Sequence, residues 1–179
     1  MSSAIIYPGS FDPVTYGHID IIKRASKNYD TVYVSVLDNN KKSPLFTVEE
    51  RVKMLKDVTK DYDNVIIDTF RGLLIDYAKE KNVHMVLRGL RALTDFEYEL
   101  HMAQTNYLIS KGTLETVFLP TDLEYSYLSS TTVREIASFH GDVSKFVPEC
   151  VAESLYKKFG YSIGEIQWQL KKIMLMFRS

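Results

Sequence analysis

Four short stretches of the chain carry residue types that could do chemistry together. The first is Pro8-Gly9-Ser10-Phe11-Asp12-Pro13-Val14-Thr15-Tyr16-Gly17-His18, and the second is Lys41-Lys42-Ser43-Pro44. The third is Arg88-Gly89-Leu90-Arg91, and the fourth runs Glu124-Tyr125-Ser126-Tyr127-Leu128-Ser129-Ser130-Thr131-Thr132. A histidine, a lysine, two arginines and a hydroxyl-rich turn before a helix suit phosphate groups. Lysine offers a movable point charge and arginine a fork that grips two oxygens; a helix start offers unpaired N–H groups at a positive dipole end. Each feature also has a purely structural reading. His18 reads equally as a capping or core histidine, Lys41-Lys42 as a solvated charge pair, and Leu128-Ser129-Ser130-Thr131 as an ordinary helix cap.

The elements around these stretches decide whether they meet. Apolar, β-branched runs alternate with segments of helical period, the pattern of a parallel sheet with crossover helices. Strands are predicted at 4–7, 31–37, 65–70, 84–87 and 114–119, with helices at 17–28, 47–60, 73–81 and 95–111. Further helices are predicted at 130–139 and 149–159, the second opened by Pro148 and stopped by Gly160. Thr47 followed by Glu50 matches a capping box. The expected architecture is α/β: a five-stranded parallel sheet with helices on both faces, plus C-terminal helices. All four stretches then follow strand ends, and in an open parallel sheet the strand C-termini share one edge, where ligands bind.

Composition narrows the rest. The chain has 179 residues, 45% apolar, with 22 Lys+Arg against 23 Asp+Glu, which fits one globular domain with room for an appendage. The near-zero charge disfavours nucleic acid as a partner, and the absence of a long apolar run or leader disfavours membrane insertion and secretion. The single Cys150 excludes an internal disulfide, suits a reducing compartment, and reads as a small buried hydrophobe. Tyr98, Leu100, Met102, Tyr107 and Leu108 read as helix packing. Neither the dinucleotide fingerprint nor the P-loop occurs, and the four histidines lack metal-ligand spacing. The expected division is a domain over 1–160 and an amphipathic helical extension over 161–179. In the latter, Ile166, Leu170, Ile173, Met174 and Phe177 recur at helical spacing. That stripe suits a membrane surface or partner, or packing on its own domain or an identical subunit.

The long first stretch through Ile19-Asp20 resembles the opening signature of the bacterial phosphopantetheine adenylyltransferases, nucleotidyltransferases with a (His/Thr)-x-Gly-His motif. The likeness continues through Pro44-Leu45-Phe46-Thr47-Val48-Glu49-Glu50-Arg51, Gly72-Leu73-Leu74, Arg88-Gly89-Leu90-Arg91-Ala92, Asp95-Phe96-Glu97-Tyr98-Glu99 and Leu128-Ser129-Ser130-Thr131. The resemblance implies a Rossmann-like fold. It also implies transfer of the adenylyl group of ATP to 4'-phosphopantetheine, giving 3'-dephospho-coenzyme A and pyrophosphate, the penultimate step of coenzyme A synthesis. It places His18 on the α-phosphate, Ser10 and Lys42 on the attacking phosphate, and Arg91 on the departing pyrophosphate with help from Ser129 and Ser130. Serine stands at position 10 where the family often has threonine. Arg88 and the backbone at Leu73 and Leu74 fall to phosphopantetheine. Gly89, Leu90 and Glu99 fall to ATP, with Ser10, Phe11 and the turn Glu124, Tyr125, Ser126, Tyr127, Leu128, Ser129 and Ser130 completing the adenylate pocket. Mg2+ accompanying ATP, a homohexamer and a cytoplasmic location are further implications of the resemblance.

Overall fold

The computed structural model describes residues 3–38, 43–91 and 93–166, with all side chains among these except those of 93–95. Five strands form one sheet: β1 (Ala4–Gly9), β2 (Thr31–Leu37), β3 (Val65–Phe70), β4 (Met85–Leu90) and β5 (Glu115–Pro120). All neighbouring strands are parallel, in the order β3-β2-β1-β4-β5. The helices are α1 (Tyr16–Ser26), α2 (Val48–Thr59), α3 (Leu74–Glu80), α4 (Leu93–Ile109), α5 (Ser130–Ser138) and α6 (Glu149–Phe159). A 3-10 turn spans Leu123–Tyr125. The chain order therefore reverses direction between β1 and β4, which is where an open α/β sheet leaves a crevice.

Both faces of the sheet are covered, and alternation along each strand does the sorting. Ile5 and Tyr7 of β1 and Leu87 of β4 point into a large core with Ile21, Ile22, Leu55, Val133 and Leu155 from α1, α2, α5 and α6. Ile6 and Val86, one residue out of phase, point into a smaller core with Ile75, Tyr77 and Ala78 of α3. The local signals also hold. The Thr47 hydroxyl accepts from the Glu50 N–H at 3.2 Å while the Glu50 carboxylate accepts from the Thr47 N–H at 2.7 Å. That carboxylate also meets Lys158 at 3.0 Å, tying α2 to α6.

The structure corrects three expectations. β1 and β4 run further than expected, so Arg88, Gly89 and Leu90 lie inside β4, paired with Phe118, Leu119 and Pro120 of β5. A run of apolar residues marks the buried part of a strand, whereas hydrogen bonding continues into its polar end. Cys150 is exposed; the inward face of α6 is made by Val151, Ala152, Leu155 and Tyr156. In α4, Tyr98, Met102, Tyr107 and Leu108 are exposed, Leu108 to 78%, and Leu100 is half-buried, so most of that stripe does not pack on its own domain.

Gly160 ends α6 with φ 78°, and nothing lies within 4 Å of where its Cβ would be. The chain turns helical again at 163–166, and Tyr161 and Ile166 join the larger core. The stripe residues Leu170, Ile173, Met174 and Phe177 lie outside the described residues. Because space is free at Gly160, Gly160→Ala should cost only the left-handed backbone penalty, about 1 kcal/mol, and Gly160→Asn less. Urea unfolding midpoints of the three proteins measure this.

Candidate functional site

At the crevice between β1 and β4 the structure forms one cleft of about 470 Å³. Ser10, Phe11, His18, Arg88, Gly89, Arg91, Glu99, Leu128, Ser129 and Ser130, drawn from four parts of the chain, all line it. Lys42 lies outside the described residues, although its neighbours Ser43 and Pro44 are at the cleft wall. Leu90, Leu73, Leu74, Glu124, Tyr125, Ser126 and Tyr127 are not among the lining residues. Leu73 precedes α3 and is 58% exposed, and the Tyr125 ring stacks on Tyr16 with centroids 6.3 Å apart.

His18 is held by the backbone it caps. It occupies the third position of α1, and its Nδ1 accepts from the Thr15 N–H at 3.1 Å, with the Thr15 hydroxyl at 3.1 Å as well. Histidine here does what glutamate does in a capping box. With Nδ1 accepting, the neutral ring carries its proton on Nε2 and keeps one donor for the cleft. Burial, with the Arg91 charge adding to it, pulls its pKa down to about 4. Phe11 packs edge-on against the His18 ring at 5.1 Å and against Tyr7 at 5.4 Å. Gly9 permits that placement, because a Cβ there would fall 2.9 Å from the Phe11 ring.

The cations of the cleft are partly committed to protein. Arg88 makes a two-pronged pair with Glu99, both bonds 2.6 Å, and donates to the Pro8 carbonyl at 3.1 Å. Burial alone would disfavour its charge, but Glu99 outweighs that and keeps the guanidinium protonated. Arg91 is exposed and donates to the Leu128 carbonyl at 3.2 Å. The Ser129 hydroxyl caps α5 by accepting from the Thr132 N–H at 3.0 Å, and the Ser130 hydroxyl donates to the Pro13 carbonyl at 2.8 Å. The capping reading of this turn and its position at the cleft are both correct.

Three charged lining residues, Asp12, Arg51 and Arg134, have no role assigned from the sequence. Asp12, 5% exposed, accepts from the Leu45 and Phe46 N–H groups, each at 2.9 Å, and pairs with Arg134 at 3.2 Å. Arg134 also donates to the Asp12 carbonyl. Arg51, 3% exposed, donates to the carbonyls of Ser10 at 2.8 Å, Thr47 at 3.2 Å and Leu37 at 3.4 Å. One signal was available for Arg51: it shares the buried face of α2 with Met54 and Leu55, three and four residues on. The set as a whole combines cations, hydroxyls and a neutral imidazole donor, and its two carboxylates, Asp12 and Glu99, are paired with arginines. Such a surface suits phosphate groups.

Comparison with known proteins agrees. Residues 6–136 match the family model described as cytidylyltransferase-like. The chain is 56% identical over 153 residues to a phosphopantetheine adenylyltransferase of Alkaliphilus metalliredigens, covering 86% of this chain and 97% of that one. It is 54% identical over 154 residues to the protein of that name in Lachnoclostridium phytofermentans, covering 86% and 94%. The solved nicotinic acid mononucleotide adenylyltransferase of Plasmodium falciparum, complexed with NaAD, superposes with a TM-score of 0.64 over 91% of this chain and 100% of its own. At 17% identity that is a likeness of fold.

The depressed His18 value has a sign that can be checked. The folded pKa of about 4 lies below the ordinary 6.5, so between these values the unfolded chain binds more protons. The His18 contribution to stability is full above about pH 6.5 and is lost as pH falls towards 4. A His18→Gln variant keeps an acceptor for the Thr15 N–H and has nothing to titrate. In urea titrations from pH 7 to 4 the wild type should therefore lose stability that the variant does not. Ring nitrogen NMR at pH 7 should show the neutral Nε2–H tautomer.

Proposed function

The chain belongs to the cytidylyltransferase-like family and, within it, to the phosphopantetheine adenylyltransferases, and on that premise we propose how the cleft at the β1–β4 crevice carries the transfer. The reaction joins the phosphate of 4'-phosphopantetheine to the α-phosphorus of ATP and expels pyrophosphate, giving 3'-dephospho-coenzyme A. One P–O bond forms as the bond to the β-phosphate oxygen breaks. A phosphate ester is already an anion at neutral pH, so no general base is needed; positioning and charge stabilisation are the task.

The observation that carries the reading is the locked Nε2–H of His18, a neutral donor at the cleft whose orientation is fixed by the helix it starts. His18 donates to the α-phosphate, where negative charge crowds as the fifth oxygen arrives. Ser10 and Lys42 grip the attacking phosphate. Arg91 and the start of α5 at Ser129 and Ser130 receive the pyrophosphate, aided by the helix's positive end. Arg88 faces phosphopantetheine and Glu99, on the ATP side, fixes its fork. Phe11, Gly89 and Leu128 in the cleft border the adenylate, while Leu73 and Leu74, with backbone for the pantetheine arm, and Leu90 and residues 124–127, on the adenylate side, lie beyond the cleft lining and would meet the longer ends of the substrates.

ATP would bring Mg2+ with it, an ion that phosphate oxygens and water would hold by its usual preference and that would supply charge neutralisation. The donor set fits that arrangement, since the cleft carboxylates are taken by Arg88 and Arg134. The enzyme works as a homohexamer in the cytoplasm. The exposed Tyr98, Met102 and Leu108 of α4 support assembly, and the lone thiol suits a reducing compartment. Sedimentation velocity should find six copies.

Pyrophosphate release with ATP plus 4'-phosphopantetheine tests the activity directly. Release with ATP plus nicotinamide mononucleotide and none with phosphopantetheine would refute it. His18→Ala should lower kcat by roughly 100-fold or more, as for a lost transition-state donor, and leave ATP binding within several fold. Equal turnover of variant and wild type would remove His18 from its role.

A further inference from the structure

Arg51 belongs to no substrate-contacting set assigned above, yet its position is unusual. A guanidinium 3% exposed sits at the cleft wall, and no described carboxylate forms an ion pair with it. Burying such a charge is costly unless its donors are used. Here they are used on three backbone carbonyls that no single element could bring together: Ser10 after β1, Leu37 at the end of β2, and Thr47 at the cap of α2.

Those carbonyls have a common significance. Leu37 and Thr47 are the two stems of the connection from β2 to α2, and Ser10 stands in the connection from β1 to α1. One planar fork thus fixes both stems of one connection relative to the start of the other. The walls it fixes include Ser10, Ser43 and Pro44, all lining the cleft. The interaction is specific to the shape of arginine. A lysine at 51 would keep the charge and the stem but present a single nitrogen, unable to hold carbonyls in two directions with planar geometry.

We propose that Arg51 is a positioning residue for the acceptor phosphate: its grip on the Ser10, Leu37 and Thr47 carbonyls sets the separation of the two walls between which the phosphate of phosphopantetheine is held. The proposal rests on the assignment of Ser10 to that phosphate. Misplacing a gripping group by about 1 Å costs up to roughly 100-fold, and the loss falls more heavily on the acceptor than on ATP, which the Ser10 backbone also borders but whose α-phosphate is met by His18 and whose pyrophosphate is met by Arg91.

The test is steady-state pyrophosphate release by the full chain, varying phosphopantetheine and ATP separately, for wild type, Arg51→Lys, Ser10→Ala and the double variant, with melting curves of each. Arg51→Lys should raise the KM for phosphopantetheine roughly tenfold or more and raise the KM for ATP several-fold less than that. In the Ser10→Ala background it should cost much less than in wild type, because two changes acting through one group do not add. A fall in apparent kcat with both KM values unchanged, as a smaller folded fraction gives, would overturn the proposal. So would effects that multiply with Ser10→Ala, or an Arg51→Lys enzyme indistinguishable from wild type. If Arg51→Lys does not melt cooperatively, Arg51→Gln is read by the same criteria. Failure of the wild type to release pyrophosphate with phosphopantetheine would instead overturn the function itself, before any variant is compared.

Discussion

The structure turns on a backbone that cannot satisfy itself. Residues 8–13 pass through the crevice of the sheet with prolines at both ends, and their carbonyls need donors from elsewhere. Side chains supply them: Arg88 to Pro8, Arg51 to Ser10, Arg134 to Asp12 and Ser130 to Pro13. The donors come from β4, α2 and α5. A demand of the fold thus draws three guanidinium groups to the end of β1 and the connection that follows it, and the same three line the cleft. The cationic character of the site follows from how the connection is held, and no overall basic charge is needed for it.

His18 repeats the economy on a smaller scale. The hydrogen bond that satisfies an open N–H at the start of α1 also selects the imidazole tautomer. Phe11, with φ 47°, is placed over that ring by the missing side chain of Gly9. Orientation of the proton donor is therefore settled by backbone geometry before any ligand arrives. Such pre-organisation is what a reaction dominated by charge redistribution at phosphorus needs.

Most of this frame was legible in the sequence. The β-branched runs of β2 and β3, the Thr47–Glu50 box and the stop at Gly160 are local signals, and each leads to the structure found. The convergence of His18, Arg88, Arg91 and Ser129 on one edge followed from the parallel sheet alone. What was hidden was long-range pairing. Nothing near Asp12 announces Arg134, and nothing near Ser10 announces Arg51, since both pairings exist only once the sheet has formed. The outward direction of most of the α4 stripe was not legible, because helical spacing reports that a face is apolar without saying what covers it.

The tie between Asp12 and Arg134 spans 122 residues of chain, and α5 touches the larger core through Val133 and Ala137 without entering the sheet. Proteins open in parts, and a helix held outside the sheet can detach at lower cost than the whole fold. Detachment of α5 would leave five strands intact while removing both the pin on Asp12 and the wall at Ser129 and Ser130. The complete cleft therefore requires that helix to be docked. A ligand bridging β4 and α5 would draw on this equilibrium by mass action, slowing amide exchange in the C-terminal third of the chain well beyond the residues it touches.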